Sequence, residues 1–449
     1  MSVHDQAAAG TTGGAASPEA GGSPVGFAEA LRVWARIGCL SFGGPAGQIA
    51  LMHREVVEER GWLSEKEYLS ALNFCMLLPG PEAMQLATYC GWRLHGLAGG
   101  LAAGLLFIVP GACIVLALAM AYAVLGNVPV VEAVFVGVKA AVLVIVIEAL
   151  IKIARRALDG RPHWLIAAAA FVAIFFFAAP FPLIVIGAGL VGLVLARRSA
   201  SASAPQPRET ISLSRTLRTC LVWLAIWLLP LAALWGALGS QHVLTQIGVF
   251  FSKLAVVTFG GAYAVLAYMG QAAVETHGWL RPGEMLDGLG LAETTPGPLI
   301  LVTEFVGFLA AARADGGLSL LMGCVGAAVT LWMTFVPCFL WIFTGAPYVV
   351  RLGQMPRLSG ALQGITAAVV GVILNLSIWF SLHVLTPGIE ERWVGPLRYW
   401  ALPESGFDWM AVTLAVVAAA ALLALKQGVL RTLALCATLA LAWHMAGLA

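Results

Sequence analysis

The chain has 449 residues, of which 60% are hydrophobic and 11% are charged. Soluble domains carry roughly a quarter of charged residues, so this much apolar surface cannot be buried in one soluble core, and a bilayer is the natural solvent. The formal net charge of +2 comes without a basic patch with interleaved aromatic residues, which argues against a nucleic acid as partner.

Residues 1–26 are rich in Gly, Ala and Ser, and we expect a disordered tail rather than a signal peptide. Nine later stretches are long and apolar enough to span a bilayer, namely 96–124, 129–151, 163–179, 181–196, 219–239, 317–345, 358–384, 409–425 and 430–447. Four weaker stretches are interrupted by Gly and Pro, namely 27–51, 67–92, 243–270 and 285–311. The pattern predicts an all-α polytopic membrane protein with about 13 transmembrane segments, some of them broken or re-entrant.

The two halves of the chain repeat one set of elements. At an offset of 217 residues, the matches are Phe42-Gly43-Gly44 with Phe259-Gly260-Gly261, Gly61-Trp62-Leu63 with Gly278-Trp279-Leu280, and Pro79-Gly80-Pro81 with Pro296-Gly297-Pro298. After a ten-residue insertion, the offset becomes 227 and aligns Pro110 with Pro337 and Gly137 with Gly364. This shared register indicates an internal duplication. We predict a first repeat at 27–196, a basic linker with a connecting transmembrane helix at 197–242, and a second repeat at 243–449.

Basic residues predict which loops face the cytoplasm. Two clusters stand out, Lys152, Arg155, Arg156 and Arg161 in one loop and Arg197, Arg198, Arg208, Arg215 and Arg218 in the linker. The positive-inside rule places both in the cytoplasm. The loops at 125–128 and 239–242 carry no Lys or Arg, and 385–408 carries four acids against two arginines, as external loops should. We therefore predict six candidate spans in each repeat, an extra span between them, inverted repeats and a cytoplasmic N-terminus.

The Phe-Gly-Gly and Pro-Gly-Pro elements break the four weaker spans. Gly weakens a helix and Pro removes a donor, so the breaks expose N–H groups and the positive ends of helix dipoles. Transporters with inverted repeats place such ends around an anion. The predicted substrate site comprises Ser41, Phe42, Gly43, Gly44, Pro79, Gly80, Pro81, Gln85, Thr258, Phe259, Gly260, Gly261, Thr295, Pro296, Gly297 and Pro298. The alternative is that the breaks are kinks that permit close packing.

Two acids near these breaks are candidates for proton coupling, because ionisable residues at membrane depth are costly and usually have a task. Glu82 directly follows Pro81, and Glu304 lies six residues beyond Pro298. Neither has a charged counterpart in the other repeat. For Glu82, capping of a helix N-terminus is an equally good interpretation.

Three cations are further candidate ligands for an anion. Lys139 lies within an apolar span and could attract an anion or pair with an acid such as Glu132. Arg36 and Lys253 occupy matching places just before the Phe-Gly-Gly elements, and snorkelling to the headgroups is their alternative.

The other motifs favour structural roles. Gly61-Trp62-Leu63 and its repeat Gly278-Trp279-Leu280 are typical of interfacial anchors. Gly187-x-Gly189-x-x-Gly192 lies inside an apolar span, where it favours helix packing over dinucleotide binding. Eight scattered cysteines without a CxxC pair, and histidines without HExxH, predict neither a metal site nor a cofactor. The sequence has no P-loop, which argues against direct ATP drive.

These elements resemble the chromate ion transporter family in its long two-repeat form. The resemblance rests on Ser41-Phe42-Gly43-Gly44-Pro45, on the run from Leu77 to Leu86 that contains Pro79-Gly80-Pro81-Glu82, and on Glu293-Thr294-Thr295-Pro296-Gly297-Pro298-Leu299. It covers the chain from about residue 27 to the C-terminus. It implies a secondary transporter of the bacterial inner membrane that exports chromate and confers resistance.

Chromate is a tetrahedral dianion much like sulfate, so a sulfate or other oxyanion carrier is the alternative within transport. An integral membrane enzyme is less favoured, because the repeated elements are Gly and Pro with no nucleophile–base pair in matching positions. The expected partners are the oxyanion and membrane lipid, with a homodimer as an option and no nucleic acid. Energy would come from an ion gradient.

Overall fold

The computed structural model describes residues 25–42, 44–126, 128–199, 213–259, 262–314, 316–349, 355–404 and 406–447. Residues 1–24 of the expected tail and residues 200–212 of the linker lie outside this range. The first half forms α1 (Phe27–Leu40), α2 (Gly44–His53), α3 (Glu65–Leu77), α4 (Glu82–Leu125), α5 (Pro129–Ala157), α6 (Arg161–Phe177), α7 (Phe181–Ser199) and α8 (Leu213–Leu238). The second half forms α9 (Val243–Val257), α10 (Ala262–Gln271), α11 (Pro282–Thr294), α12 (Val302–Ala312), α13 (Leu320–Gly345), α14 (Pro356–Leu385), β1 (Glu390–Val394), β2 (Leu397–Ala401), α15 (Trp409–Ala419) and α16 (Val429–Met445).

Five of the described helices are long and apolar enough to cross a membrane, namely α4, α5, α8, α13 and α14. Helices α6, α7, α15 and α16 are apolar but shorter. The prediction of an all-α polytopic membrane protein is confirmed, with one two-stranded antiparallel sheet as the exception in the described chain.

In the first half, the weaker spans fold as helical hairpins. Helices α1 and α2 form one pair, and α3 and the start of α4 form the next. Arg93 in α4 pairs with Glu67 at the start of α3, at 3.2 Å, and the His95 ring lies 2.7 Å from the Val25 carbonyl oxygen, just before α1. The chain thus returns to the place where it entered, which we name the first end (Val25, Glu67 and His95).

Helix α4 consists of two antiparallel limbs that meet at His95 and Gly96. Gly96 has φ 60° and ψ −147°, in a region that favours glycine. The limbs touch so closely that a Cβ on Gly91 would lie 2.6 Å from the Ala103 Cβ. The second limb therefore starts at the first end and runs away from it.

The second half repeats this arrangement at the opposite end of the bundle. Arg313, after α12, donates to both carboxylate oxygens of Glu284 in α11, at 2.8 and 3.0 Å. Glu284 aligns with Glu67, which Arg93 contacts through one oxygen in the first half. His242, Gly278 and Arg313 line one surface cavity of about 430 Å³, and we name this region the second end. The second limb of α4 reaches toward it, because Tyr122 bonds to Asp287 of α11.

The long helices of each half pack against the other half through glycines. Helices α6 and α7 pack on α14, and α15 and α16 pack on α5. A Cβ on Gly137 of α5 would lie 2.2 Å from the Cys436 carbonyl oxygen, and a Cβ on the aligned Gly364 of α14 would lie 2.4 Å from the Ala188 carbonyl oxygen. Small residues are what allow helix backbones to approach this closely in a membrane.

Candidate functional site

The four helix breaks meet in the interior, where each half bonds to the other. The Gly80 N–H donates to the Thr258 carbonyl oxygen at 2.8 Å, and the Gly297 N–H donates to the Ser41 carbonyl oxygen at 3.0 Å. Each Pro-Gly-Pro break thus binds the Phe-Gly-Gly region of the other half. We name this region the central junction (Ser41, Gly80, Thr258 and Gly297).

Glycine is required at both tips of the junction. Gly80 has φ +122° and Gly297 has φ +94°, where an L side chain is strained. Space is limiting as well, because a Cβ on Gly80 would lie 2.8 Å from the Gln85 Nε2. The repeated glycines therefore serve the backbone geometry of the breaks. Their N–H groups are already bonded, so they are not the free donors that the sequence suggested.

Two buried glutamines complete the junction. The Gln48 side chain donates to the carbonyl oxygens of Gly297, at 2.6 Å, and of Ser41, at 3.2 Å. The Gln85 side chain donates to the Pro79 carbonyl oxygen at 2.7 Å. Their Oε1 atoms have no partner among the described residues. These are acceptors that a proton donor can satisfy.

Helix α4 and its counterpart α13 pack on these breaks from opposite halves. A Cβ on Gly111 of α4 would lie 2.2 Å from the Pro296 carbonyl oxygen. In α13, the position aligned with Gly111 is Cys338, and its sulfur would lie 3.0 Å from a Cβ on Gly80. Each Pro-Gly-Pro tip is thus covered by a long helix of the other half.

One described cavity reaches the junction from the side of α5. It has a volume of about 220 Å³, and its lining includes Gly80, Glu82, Arg156 and Thr366. Helix α4 begins here after Pro81, and no side chain caps its first turn. A helix N-terminus, a guanidinium and a hydroxyl are groups that bind oxyanions. We name this cavity the Arg156 pocket.

The other predicted substrate residues lie around the junction or outside the described residues. Ser41, Thr258, Thr295, Pro296, Gly297 and Pro298 are buried, whereas Phe42 is exposed and Phe259 is half-buried. Gly43, Gly260 and Gly261 lie outside the described residues.

The charged candidates are placed in different surroundings. Glu82 is half-buried in the Arg156 pocket, at the first turn of α4. Glu304 is 1% exposed, and its Oε2 has no partner among the described residues. Arg36 lies 3.6 Å from Glu55 and Lys253 is exposed.

Lys139 pairs with an acid, which is one of its two predicted alternatives, but that acid is not Glu132. Lys139 lies 3.4 Å from Asp287, a residue of the other half. Glu132 instead lines a cavity with His444. Helix α5 and helix α11 are distant in sequence, so neither composition nor spacing could have paired them.

Sequence reasoning missed Gln48 and Asp287 as candidate residues. Both are polar groups inside apolar segments, which was the available signal. Arg156 was recognised only as part of a basic loop. Its role in the pocket depends on α3, α4, α5 and α14 meeting there.

Broken helices that meet in the interior of two repeated halves are typical of secondary transporters. The chain belongs to the chromate transporter family, whose model matches residues 28–193 and 245–443.

Three relatives show how far this similarity extends. A probable chromate transport protein of Synechococcus elongatus is 30% identical over 388 residues, covering 85% of this chain and 92% of that protein. The chromate transport protein of Cupriavidus metallidurans is 30% identical over 76% of this chain and 80% of its own length. That of Pseudomonas aeruginosa is 31% identical, over 80% and 82%. No solved structure matches.

Proposed function

We propose that this protein is a secondary active transporter that exports chromate across the bacterial inner membrane and thereby confers chromate resistance. The observation that carries the proposal is the central junction. There, Gly80 bonds to Thr258 and Gly297 bonds to Ser41, so each of these crossed bonds joins a broken helix of one half to a broken helix of the other half. Its relatives in Cupriavidus metallidurans and Pseudomonas aeruginosa are named chromate transport proteins, which supports transport rather than enzyme chemistry.

The junction suits a carrier that opens alternately to its two ends. Each crossed bond joins one half to the other, so movement of one half as a rigid body changes both bonds together. Inverted-repeat transporters alternate in this way around a fixed site. The Arg156 pocket then supplies an access route from the side where α5 ends.

The substrate dianion would be held in the Arg156 pocket by complementary donors. The Arg156 guanidinium offers several N–H groups in a planar fork, which suits a tetrahedral oxyanion. The uncapped first turn of α4 adds backbone N–H groups and a positive dipole end. Thr366, from the second half, lines the same space, and its hydroxyl donates to the Leu362 carbonyl oxygen at 2.8 Å until a substrate replaces that acceptor.

Glu82 and Glu304 are our candidates for coupling transport to a proton gradient. Glu82 shares the pocket with Arg156, so its carboxylate and a bound dianion would repel unless the acid is protonated. Glu304 is the deeply buried acid of the second half. Replacing either acid by glutamine tests whether that acid couples transport to the proton gradient.

The function is tested by expressing the protein in a chromate-sensitive host and by measuring chromate uptake into everted membrane vesicles. We expect higher tolerance and saturable, gradient-dependent uptake. Sulfate or another oxyanion is the alternative substrate, and competition by excess sulfate separates the two. If expression gives neither protection nor uptake, the chromate assignment fails.

Arg156 should be necessary for transport, whereas its neighbour should not. Arg156→Gln removes the guanidinium from the pocket, and we expect chromate uptake in everted vesicles to fall at least about tenfold, since hydrogen bonds to charged groups contribute about 1.5–3 kcal/mol. Arg155→Gln is the matched control, because it also removes one positive charge from the exposed end of α5. Equal losses of chromate uptake in the two variants would show that the Arg156 pocket does not bind the transported anion.

We propose that the first end faces the cytoplasm and that the two halves are inverted. Single cysteines in a cysteine-free variant can be labelled with an impermeant reagent in whole cells and everted vesicles. Glu29→Cys and Glu65→Cys should label from the cytoplasm, and Arg281→Cys from outside. Labelling of Glu29→Cys and Glu65→Cys from opposite sides would show that the chain between them crosses the membrane instead of turning back. Labelling of all three cysteines from one side would exclude inverted halves.

A further inference from the structure

A buried charged cluster joins the two halves on the side of the second end. The Tyr122 hydroxyl, in the second limb of α4, donates to Asp287 Oδ2 at 2.8 Å. The Lys139 ammonium, in α5, lies 3.4 Å from the same oxygen. Asp287 belongs to α11 and is 2% exposed. One carboxylate of the second half thus holds two groups of the first half.

The hydrogen-bonding capacity of this cluster is not fully used. The Asp287 Oδ1 atom has no hydrogen-bond partner among the described residues, and the Lys139 side chain is 26% exposed. The backbone opposite the ammonium is Gly283, where a Cβ would lie 2.9 Å from Nζ. Asp287 therefore has one oxygen without a partner among the described residues, and the exposed part of Lys139 gives its ammonium room to meet a second anion.

The charges around the cluster leave Lys139 able to accept another anion. Glu284 is the nearest other acid on α11, and Arg313 binds both of its carboxylate oxygens. The first turn of α11, beside Nζ, contributes the positive end of a helix dipole. Among the described residues, the acid that pairs with Lys139 is therefore Asp287 itself.

We propose that Lys139 is a switchable ligand for the transported oxyanion and that Asp287 is the resident counter-ion that the substrate displaces. Tyr122 positions Asp287. This inference rests on the proposed oxyanion transport and adds a second binding position, distinct from the Arg156 pocket.

Displacement couples binding to movement of the halves. A carboxylate and a tetrahedral dianion both offer charged oxygens to an ammonium, so they compete for Lys139. In the empty carrier, the pair avoids an unpaired buried charge, which would be strongly unfavourable. When the substrate takes Lys139, Asp287 keeps the Tyr122 hydroxyl but loses its ion partner, so its carboxylate must take up a proton or gain access to water. Either change releases a contact that holds the halves together.

A double-mutant cycle on the full-length protein tests this competition. Chromate affinity is measured by equilibrium binding at mildly alkaline pH, where chromate is a dianion. Asp287→Asn removes the competitor, and we expect binding to tighten by about tenfold. Lys139→Gln should weaken binding by a similar factor, and Asp287→Asn added to it should restore little. Glu390→Gln, in an exposed ion pair with Arg392, is the control and should bind as the unmodified protein does.

The outcomes separate the inference from the proposed function. If the unmodified protein binds no chromate, the proposed function fails. If it binds and Asp287→Asn tightens binding equally with and without Lys139, the effect is general charge repulsion and Lys139 is not the ligand. If a single variant does not fold, the neutral pair Lys139→Gln/Asp287→Asn carries the test, since removing both partners is tolerated better than removing one. This pair should fold and bind at least about tenfold more weakly, and unchanged affinity would overturn the inference.

Discussion

Gly111→Ala should abolish chromate resistance although it adds a single methyl group. The new Cβ would lie 2.2 Å from the Pro296 carbonyl oxygen and 2.7 Å from a Leu301 methyl carbon. The oxygen is backbone and cannot rotate away, so α4 and the second-half break must separate. Overpacking of this kind costs about 1–3 kcal/mol, and here it falls on the junction that both halves share. The measurement is growth on chromate in a sensitive host, alongside the amount of protein in the membrane.

Gly187→Ala is the matched control for this substitution. Gly187 also lies within an apolar helix, and a Cβ there meets nothing within 4 Å. We expect its chromate tolerance to equal that of the unmodified protein. If Gly111→Ala is present in the membrane at normal levels and protects as well as Gly187→Ala does, close contact between α4 and the break is unnecessary for transport.

Arg398→Ala should be the most destabilising substitution in the β-hairpin. The Arg398 side chain is 1% exposed and donates to the carbonyl oxygens of Phe175 and Ile174, at 3.0 and 2.7 Å, at the end of α6. It also lies 3.7 Å from Glu275. Each hydrogen bond from a charged donor contributes about 1.5–3 kcal/mol, so losing the two bonds to α6 should lower the thermal unfolding midpoint of the purified protein by about 3–6 °C.

Arg392→Ala is the corresponding control on the same hairpin. Arg392 pairs with Glu390 at 3.3 Å, and both side chains are more than half exposed, so the midpoint should change by less than about 1 °C. Arg398→Lys should give an intermediate midpoint, because an ammonium keeps the charge but cannot reach both carbonyl oxygens as a fork. Equal midpoints for the two alanine variants would show that the hairpin does not hold α6.

The β-hairpin is also a feature that the sequence does not predict. The segment 385–408 was recognised as an acidic loop, yet it forms β1 and β2 and inserts Arg398 against a helix of the first half. Nothing in the local pattern predicts this, because the carbonyl groups that Arg398 binds are over 220 positions away in the chain. The same holds for Lys139, whose partner Asp287 lies on a helix of the other half.

The sequence by itself determined the membrane class, the duplication and the positions of the four breaks. Hydrophobicity, Gly and Pro act locally, so their consequences can be read along the chain. The tertiary structure decided that the weaker spans turn back at their breaks, since this depends on contacts such as Arg93 with Glu67. It also decided that the Gly80 and Gly297 N–H groups bind the opposite half. A bond between residues of separate repeats has no local signature, because it exists only when both halves have folded together.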